Sequence, residues 1–195
     1  MVSEDADEGD AIDSNGTLTI NGGTIYAFAH PTSGDAGLDS EYGTYINGGT
    51  IIATGNMTDQ ISSDSKQKFL YVNFNKQISA DTLIAIKDQD DKVITAFKTS
   101  RTIKTLLFSS ADLDYKSYTV YTGGEIDGEE TNGLYTKINS YSNGEETSVS
   151  EVQQTNQKNT NKKSKTILIV FIIEIVLLLI LVPIYFIRNL KPKKA

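Results

Sequence analysis

The chain of 195 residues has no cysteine and no tryptophan, and no lysine or arginine occurs before position 66. Absent cysteine excludes disulfide staples and thiolate metal sites, leaving packing or oxygen-bound cations to stabilise the fold. Absent tryptophan leaves tyrosine as the main aromatic platform for a stacked ligand. The absent bases leave residues 1–64 with 11 Asp or Glu and nothing to neutralise them, in a chain of formal charge −7. Such a surface repels nucleic acid, whose affinity rests on Lys and Arg neutralising phosphate. No nucleic-acid partner is expected, and divalent cations are. The opening MVSEDADEGD also lacks the basic and apolar stretches of a secretory signal. A domain that crosses a membrane ahead of a stop-transfer helix usually needs that signal, so the chain reads as a fragment of a longer product.

Long apolar runs are missing until residues 166–187, TILIVFIIEIVLLLILVPIYFI. These 22 residues would span about 33 Å as a helix, against a hydrocarbon core of roughly 30 Å. Glu174 is their only charge. Its cost of about 3 kcal/mol near mid-bilayer is outweighed by the surrounding Leu, Ile, Val and Phe. Length and the lack of a polar face exclude a core helix, so a single transmembrane helix in a lipid bilayer is expected. Lys158, Lys162, Lys163 and Lys165 precede it, and Arg188, Lys191, Lys193 and Lys194 follow. The positive-inside rule is therefore nearly tied. Because the acidic part reads as a surface module, residues 188–195 are expected to be a cytoplasmic tail and the N-terminal domain extracellular, on the cell membrane.

Two stretches resemble each other, DAIDSNGTLTINGGTIYA from Asp10 and DAGLDSEYGTYINGGTIIA from Asp35. Their INGGTI blocks start at Ile20 and Ile46, 26 residues apart, and Asp13 maps onto Asp39 at the same offset. Apolar residues alternate with Thr or Asn inside each unit, the period of a strand. Asn-Gly between such runs signals a type I′ hairpin; the same NGG also serves as the corner between two strands of a β-helix rung, where glycine supplies positive φ. Repetition at rung length favours the β-helix. The expectation is a mostly β fold: residues 1–57 as two coils of a truncated right-handed parallel β-helix, continuing into a small β-sheet region over residues 58–144.

Within that region strands are expected near 69–75, 82–87, 92–98, 103–109 and 117–121, with KDQDDK at 87–92 as a hairpin turn and one more short strand within 133–141. Residues 145–165, Ser-, Thr-, Asn-, Gln-, Glu- and Lys-rich, read as a disordered linker.

GDAIDSNGTLTINGGTIYA, INGGTIIATG, FLYVNFN, TLIAIKDQDDKVITAF and SSADLDYKSYTVYTGG, in that order, resemble bacterial carbohydrate-binding domains of the clostridial cell-surface type. The resemblance covers residues 9–124. It implies a right-handed parallel β-helix that binds polysaccharide, either cellulose or an acidic glycan, with calcium held by carboxylates between rungs. By position those carboxylates are Asp10, Asp13, Asp35 and Asp39. The chain departs from the family in lacking upstream coils and a signal peptide.

Calcium takes six to eight oxygens at about 2.3–2.6 Å, and stacked repeats bring two Asp pairs near each other. The competing reading is that Asp13 and Asp39 form Asx turns, their side chains satisfying local backbone amides. For sugar, Tyr26, Tyr42, Tyr45 and Tyr71 are the available platforms, Tyr42 the one in a corner. Catalysis is not expected. A lyase on such a fold wants a base beside calcium, and the repeats contain no Lys or Arg. A hydrolase needs two carboxyl groups across the sugar. His30 beside Pro31 is incidental. The alternatives are a structural or adhesin segment that binds protein, and the remnant of a polysaccharide lyase or hydrolase.

Overall fold

The computed structural model describes residues 9–114 and 117–155, the last six by backbone alone; the expected membrane helix at 166–187, the basic tail and the linker beyond 155 lie outside the described residues. Eleven strands follow in chain order: β1 (Leu18–Phe28), β2 (Thr44–Gly55), β3 (Phe69–Ile78), β4 (Leu83–Asp88), β5 (Val93–Lys98), β6 (Ile103–Ser109), β7 (Tyr118–Thr122), β8 (Glu125–Thr131), β9 (Leu134–Ser142), β10 (Glu145–Glu146) and β11 (Val149–Thr155). No helix occurs among the described residues.

The repeated INGGTI blocks lie side by side. β1 and β2 pair in parallel, Leu18 opposite Thr44 and Ile20 opposite Ile46, slip at Asn21–Gly48, and return to register from Thr24–Thr50 to Phe28–Thr54. The NGG therefore makes neither a hairpin nor a break: each block is one strand with an irregularity at its glycines. Glycine is required there by close approach as well as by conformation. Gly49 has φ +104°, and a Cβ on it would stand 2.7 Å from the Gly23 carbonyl oxygen. The Asn47 side-chain amide donates to Asn21 Oδ1 at 3.0 Å, continuing the stack in the side chains. Outside the strands the loops stack too. Asp39 N–H donates to the Ile12 carbonyl (2.8 Å), Glu41 N–H to that of Ser14 (3.0 Å) and Tyr42 N–H to that of Gly16 (3.0 Å).

Parallel pairing between strands stops there. The first sheet runs β1-β2-β6-β3-β11 and every later neighbour is antiparallel. The second sheet, β10-β7-β4-β5-β9-β8, is antiparallel throughout. The molecule is thus a mostly β fold of two sheets.

Strand alternation distributes the core. Because successive side chains point to opposite faces, Leu70, Val72 and Phe74 of β3 enter the cluster between the sheets, with Ile52, Leu106 and Phe108 from the first sheet and Ile84, Ile86, Phe97 and Val120 from the second. Their neighbours Phe69, Ile51, Ala53 and Leu107 face the other way, into a second cluster closed by Leu38 and Ile61 from the loops, with Tyr71 packed against it. In the middle of the first sheet β2 and β6 are buried on both sides, which is why TIIATG and TLLF read as nearly unbroken apolar runs. Each such fully buried side chain contributes roughly 1.5–3 kcal/mol.

The short strand expected within 133–141 is β9, and its partner β8 lies outside the expected strands. β8 and β9 form a hairpin whose turn is Asn132–Gly133, with φ +52° and +86°, the left-handed pair of a type I′ turn. Ile126, Tyr135, Ile138 and Tyr141 from this hairpin pack on Leu83, Ala85 and Ala96. Part of the stretch expected to be linker from residue 145 is strand instead: β10 pairs with β7, and β11 lies along β3 from Phe69 to Phe74. An unpaired strand edge offers a row of N–H and C=O groups, and β3 supplies that template to a polar segment without a periodic signal of its own.

Candidate functional site

The four aspartates expected to gather around a metal lie on the stacked loops before β1 and β2, and two of them are engaged with backbone. Asp10 Oδ1 accepts the Ala36 N–H at 2.7 Å, and Asp35 Oδ2 accepts the Gly9 N–H at 2.6 Å. Each carboxylate thus reaches across to the other repeat. Asp39 is half-buried and Asp13 exposed. Burial raises the Asp10 carboxyl above the ordinary 3.8; the Ala36 N–H opposes this, and Asp35, Asp39 and Asp13 add to it. Burial also raises Asp39, with Asp59, Asp13 and Asp35 contributing and the Ser40 N–H opposing. Asp59 is the member that the repeat logic missed, since it follows the second repeat. Its Oδ2 accepts the Ser40 N–H at 3.2 Å and its Oδ1 the Gln60 N–H at 2.6 Å.

Among the described residues, no group of three or more His, Asp or Glu side chains is arranged to hold a metal ion. Calcium wants six or more oxygens converging on one point, whereas Asp10 and Asp35 point one oxygen each at different amides. In this arrangement the ladder keeps one oxygen of each of these two carboxylates on an amide of the other repeat. It serves to stitch the repeats.

The tyrosines separate into two groups. Tyr42, 67% exposed, sits in the corner of the second repeat, and Tyr45 follows at the start of β2. Both border an open cleft of about 440 Å³, whose far wall is the segment from Gln60 to Ser63 and the ring of Tyr71 from β3. That segment is anchored to β2: Ile61 bridges to Thr44, and Ser62 N–H donates to the Thr44 carbonyl at 2.8 Å. Tyr71 anchors it from below. Its hydroxyl donates to the Asp59 carbonyl (2.6 Å) and accepts the Ile61 N–H (2.8 Å). Burial, with Asp59 adding and the Ile61 N–H opposing, pushes this phenol up to about 12. It is therefore a neutral hydrogen-bonding group at physiological pH.

Tyr26 stands apart from the cleft. Its ring packs edge-on against Phe28 and Phe97 at centroid distances of 4.4 and 5.8 Å, and its hydroxyl donates to the Lys98 carbonyl. Burial, with Glu130 adding, raises its phenol. Half-buried in the strand, it links β1 to the end of β5. Gln60, Ser62 and Ser63 carry no signal in the sequence beyond polarity.

The cleft thus joins two tyrosine rings and a half-buried third to an amide and two hydroxyls, a set suited to an uncharged, hydroxyl-rich ligand with an apolar face. No family model, no curated protein and no solved structure matches the chain.

Proposed function

We propose that the chain is a non-catalytic, cell-surface polysaccharide-binding module, tethered to the membrane by residues 166–187, and that the Tyr42–Tyr45 cleft is its binding site. The observation that carries this reading is the convergence of Tyr42, Tyr45 and Tyr71 with Gln60, Ser62 and Ser63 on one cleft. Aromatic rings take the apolar face of a pyranose, while the amide and hydroxyls take its equatorial hydroxyls. Pockets of about 300–1,000 Å³ accommodate small ligands, and 440 Å³ corresponds to one or two sugar units of a longer chain. Hydrolysis would ask for two carboxyl groups about 5–10 Å apart across the sugar, and the lining is phenol, amide, hydroxyl and aliphatic.

In this reading the stacked repeats are the end of a right-handed parallel β-helix. The 26-residue register between β1 and β2, carried into the loops, supports it. Calcium has no step in the binding reading, because the residues lining the tyrosine cleft include no carboxylate.

The test is retention of the full chain in detergent on insoluble cellulose and on soluble neutral and acidic glycans, with calcium or with EDTA. Tyr42→Ala together with Tyr45→Ala is expected to weaken binding to the preferred glycan at least about tenfold, since lost stacking and contact of about 1.4 kcal/mol is one decade. Wild-type retention by the double variant on every glycan would end this reading.

A second reading, a surface segment that pairs with protein, is favoured by one observation: among the described residues β1 ends the first sheet, with nine of its 11 residues paired to β2 on one side only. Binding of a protein partner that persists when both tyrosines are removed selects that alternative.

A further inference from the structure

A second cleft, of about 350 Å³, opens where the first sheet meets the hairpin of the second, away from the tyrosine site. Its chemistry differs. Two cations, Lys92 and Lys137, border it against one acid, Asp112, in a chain whose first 65 residues contain no Lys or Arg. Thr24, Thr50, Thr95 and Thr136 add hydroxyls, and Tyr135 and Ile138 add an apolar side. Thr24 and Thr50 are equivalent positions of the two repeats and pair directly in the β1–β2 register, so the repeat itself doubles the hydroxyl.

The backbone of β9 is bent to build this wall. Between the pairs Asp127–Ser140 and Glu129–Thr136, the three residues from Lys137 to Asn139 oppose Gly128 alone. Lys137 lies at φ +47°, in the left-handed region that side-chain-bearing residues seldom adopt. A flat strand sends alternate side chains to opposite faces, whereas here Thr136, Lys137 and Ile138 all border one cleft. Bulges of this kind re-aim side chains and are frequent beside sites. The Lys137 ammonium already holds a carboxylate, that of Glu129 at 2.9 Å, with both side chains largely exposed. An exposed ion pair is weak in water, and a ligand anion exchanges with it readily.

We infer that this cleft binds a small polyhydroxylated anion, its charge held between Lys92 and Lys137, its hydroxyls on the threonines and its carbon skeleton against Tyr135 and Ile138. The site is independent of the polysaccharide reading, since it shares no lining residue with the tyrosine cleft.

Calorimetric titration of the full chain in detergent tests it with four probes: gluconate, glycerophosphate, neutral glucose and inorganic phosphate. Saturable binding of gluconate or glycerophosphate is expected, gluconate marking a carboxylate source and glycerophosphate a phosphate source. It should weaken at least about tenfold in Lys92→Gln with Lys137→Asn, Asn being tolerated at left-handed φ, and remain unchanged in Tyr42→Ala. Should that pair of changes unfold the chain, salt decides on the wild type: affinity must fall between about 0.05 and 0.5 M, where screening removes exposed charge attraction. Binding of neither organic anion, equal binding of glucose, equal binding of inorganic phosphate (an adventitious ion only), or insensitivity to both the lysine changes and salt each overturns the inference.

Discussion

Asp10 and Asp35 cap each other's repeat: the carboxylate of each accepts a backbone N–H that belongs to the other's loop, Ala36 at 2.7 Å and Gly9 at 2.6 Å. The two aspartates lie 25 residues apart, one short of the repeat, so each accepts the amide found 26 residues from it, at its own equivalent position in the other copy. A hydrogen bond from a backbone amide to a charged acceptor is worth about 1.5–3 kcal/mol, and a partly buried amide left without a partner costs about 1–3. Asp10→Ala and Asp35→Ala are each expected to lower unfolding free energy by about 1–2 kcal/mol in urea. Asp10→Asn, which keeps an accepting oxygen, should cost less. If the alanine variants unfold at the wild-type midpoint, the clamp does not stabilise the stack.

The same loops set a pH dependence. Asp10 and Asp39 both titrate above the ordinary 3.8 in the folded chain, from burial first and from neighbouring carboxylates next. An acid with a raised pKa binds its proton more tightly in the fold than in the unfolded chain. The stability this adds is complete below 3.8 and is lost as pH rises through the raised values. Thermal stability should therefore rise on mild acidification from neutrality, and Asp39→Asn should flatten that rise. A melting temperature that falls steadily over the same window goes against this account.

Calcium gives a separate reading of the ladder. With one oxygen each of Asp10 and Asp35 on amides, melting should be the same in millimolar calcium and in EDTA. A calcium-dependent rise that disappears in Asp13→Asn with Asp39→Asn would show instead that the loops regroup around the ion.

Tyr71 is expected to support the cleft without needing to touch a ligand. Tyr71→Phe keeps the ring but removes the donor to the Asp59 carbonyl and leaves the Ile61 N–H unpaired. A loss of about 1–3 kcal/mol follows from that orphaned amide, together with weaker glycan retention. Hydrogen exchange at Ile61 reads the effect directly, and an unchanged protection factor contradicts it.

The glycines of the repeated block should respond unequally. Gly49→Ala places a Cβ 2.7 Å from the Gly23 carbonyl oxygen at φ +104°, and a loss of about 1–3 kcal/mol is expected. Gly22→Ala meets nothing within 4 Å, so only a small change is expected in chemical unfolding. Equal losses at both positions would mean that the stacking contact at Gly49 is not what matters.

Much of this architecture was legible in the residues, for local reasons. The 26-residue repeat names the two strands that pair, because identical blocks stack with identical faces aligned. The expected strand at 103–109 is β6, and KDQDDK turns as expected because the Asp88 Oδ1 accepts the N–H groups of Asp90 and Lys92, both at 3.0 Å. Tyr42 reads as a corner residue and is the exposed large hydrophobic side chain of its repeat. Polar segments hid the rest. Nothing in EIDGEET or VSEVQQT alternates strongly enough to announce β8 or β11, since their backbone partners lie elsewhere in the chain.

Sequence by itself determined periodicity: which residues alternate, which glycines allow close stacking, and where acidic and apolar residues concentrate. Tertiary structure decided the direction of the carboxylates, the burial of Tyr26 and the closing of a cleft by Gln60 to Ser63. The physical reason is range. Strand alternation and glycine conformation are fixed within a few residues, whereas a carboxylate takes whichever amide the fold brings near, and the amides nearest Asp10 and Asp35 came from 26 residues away.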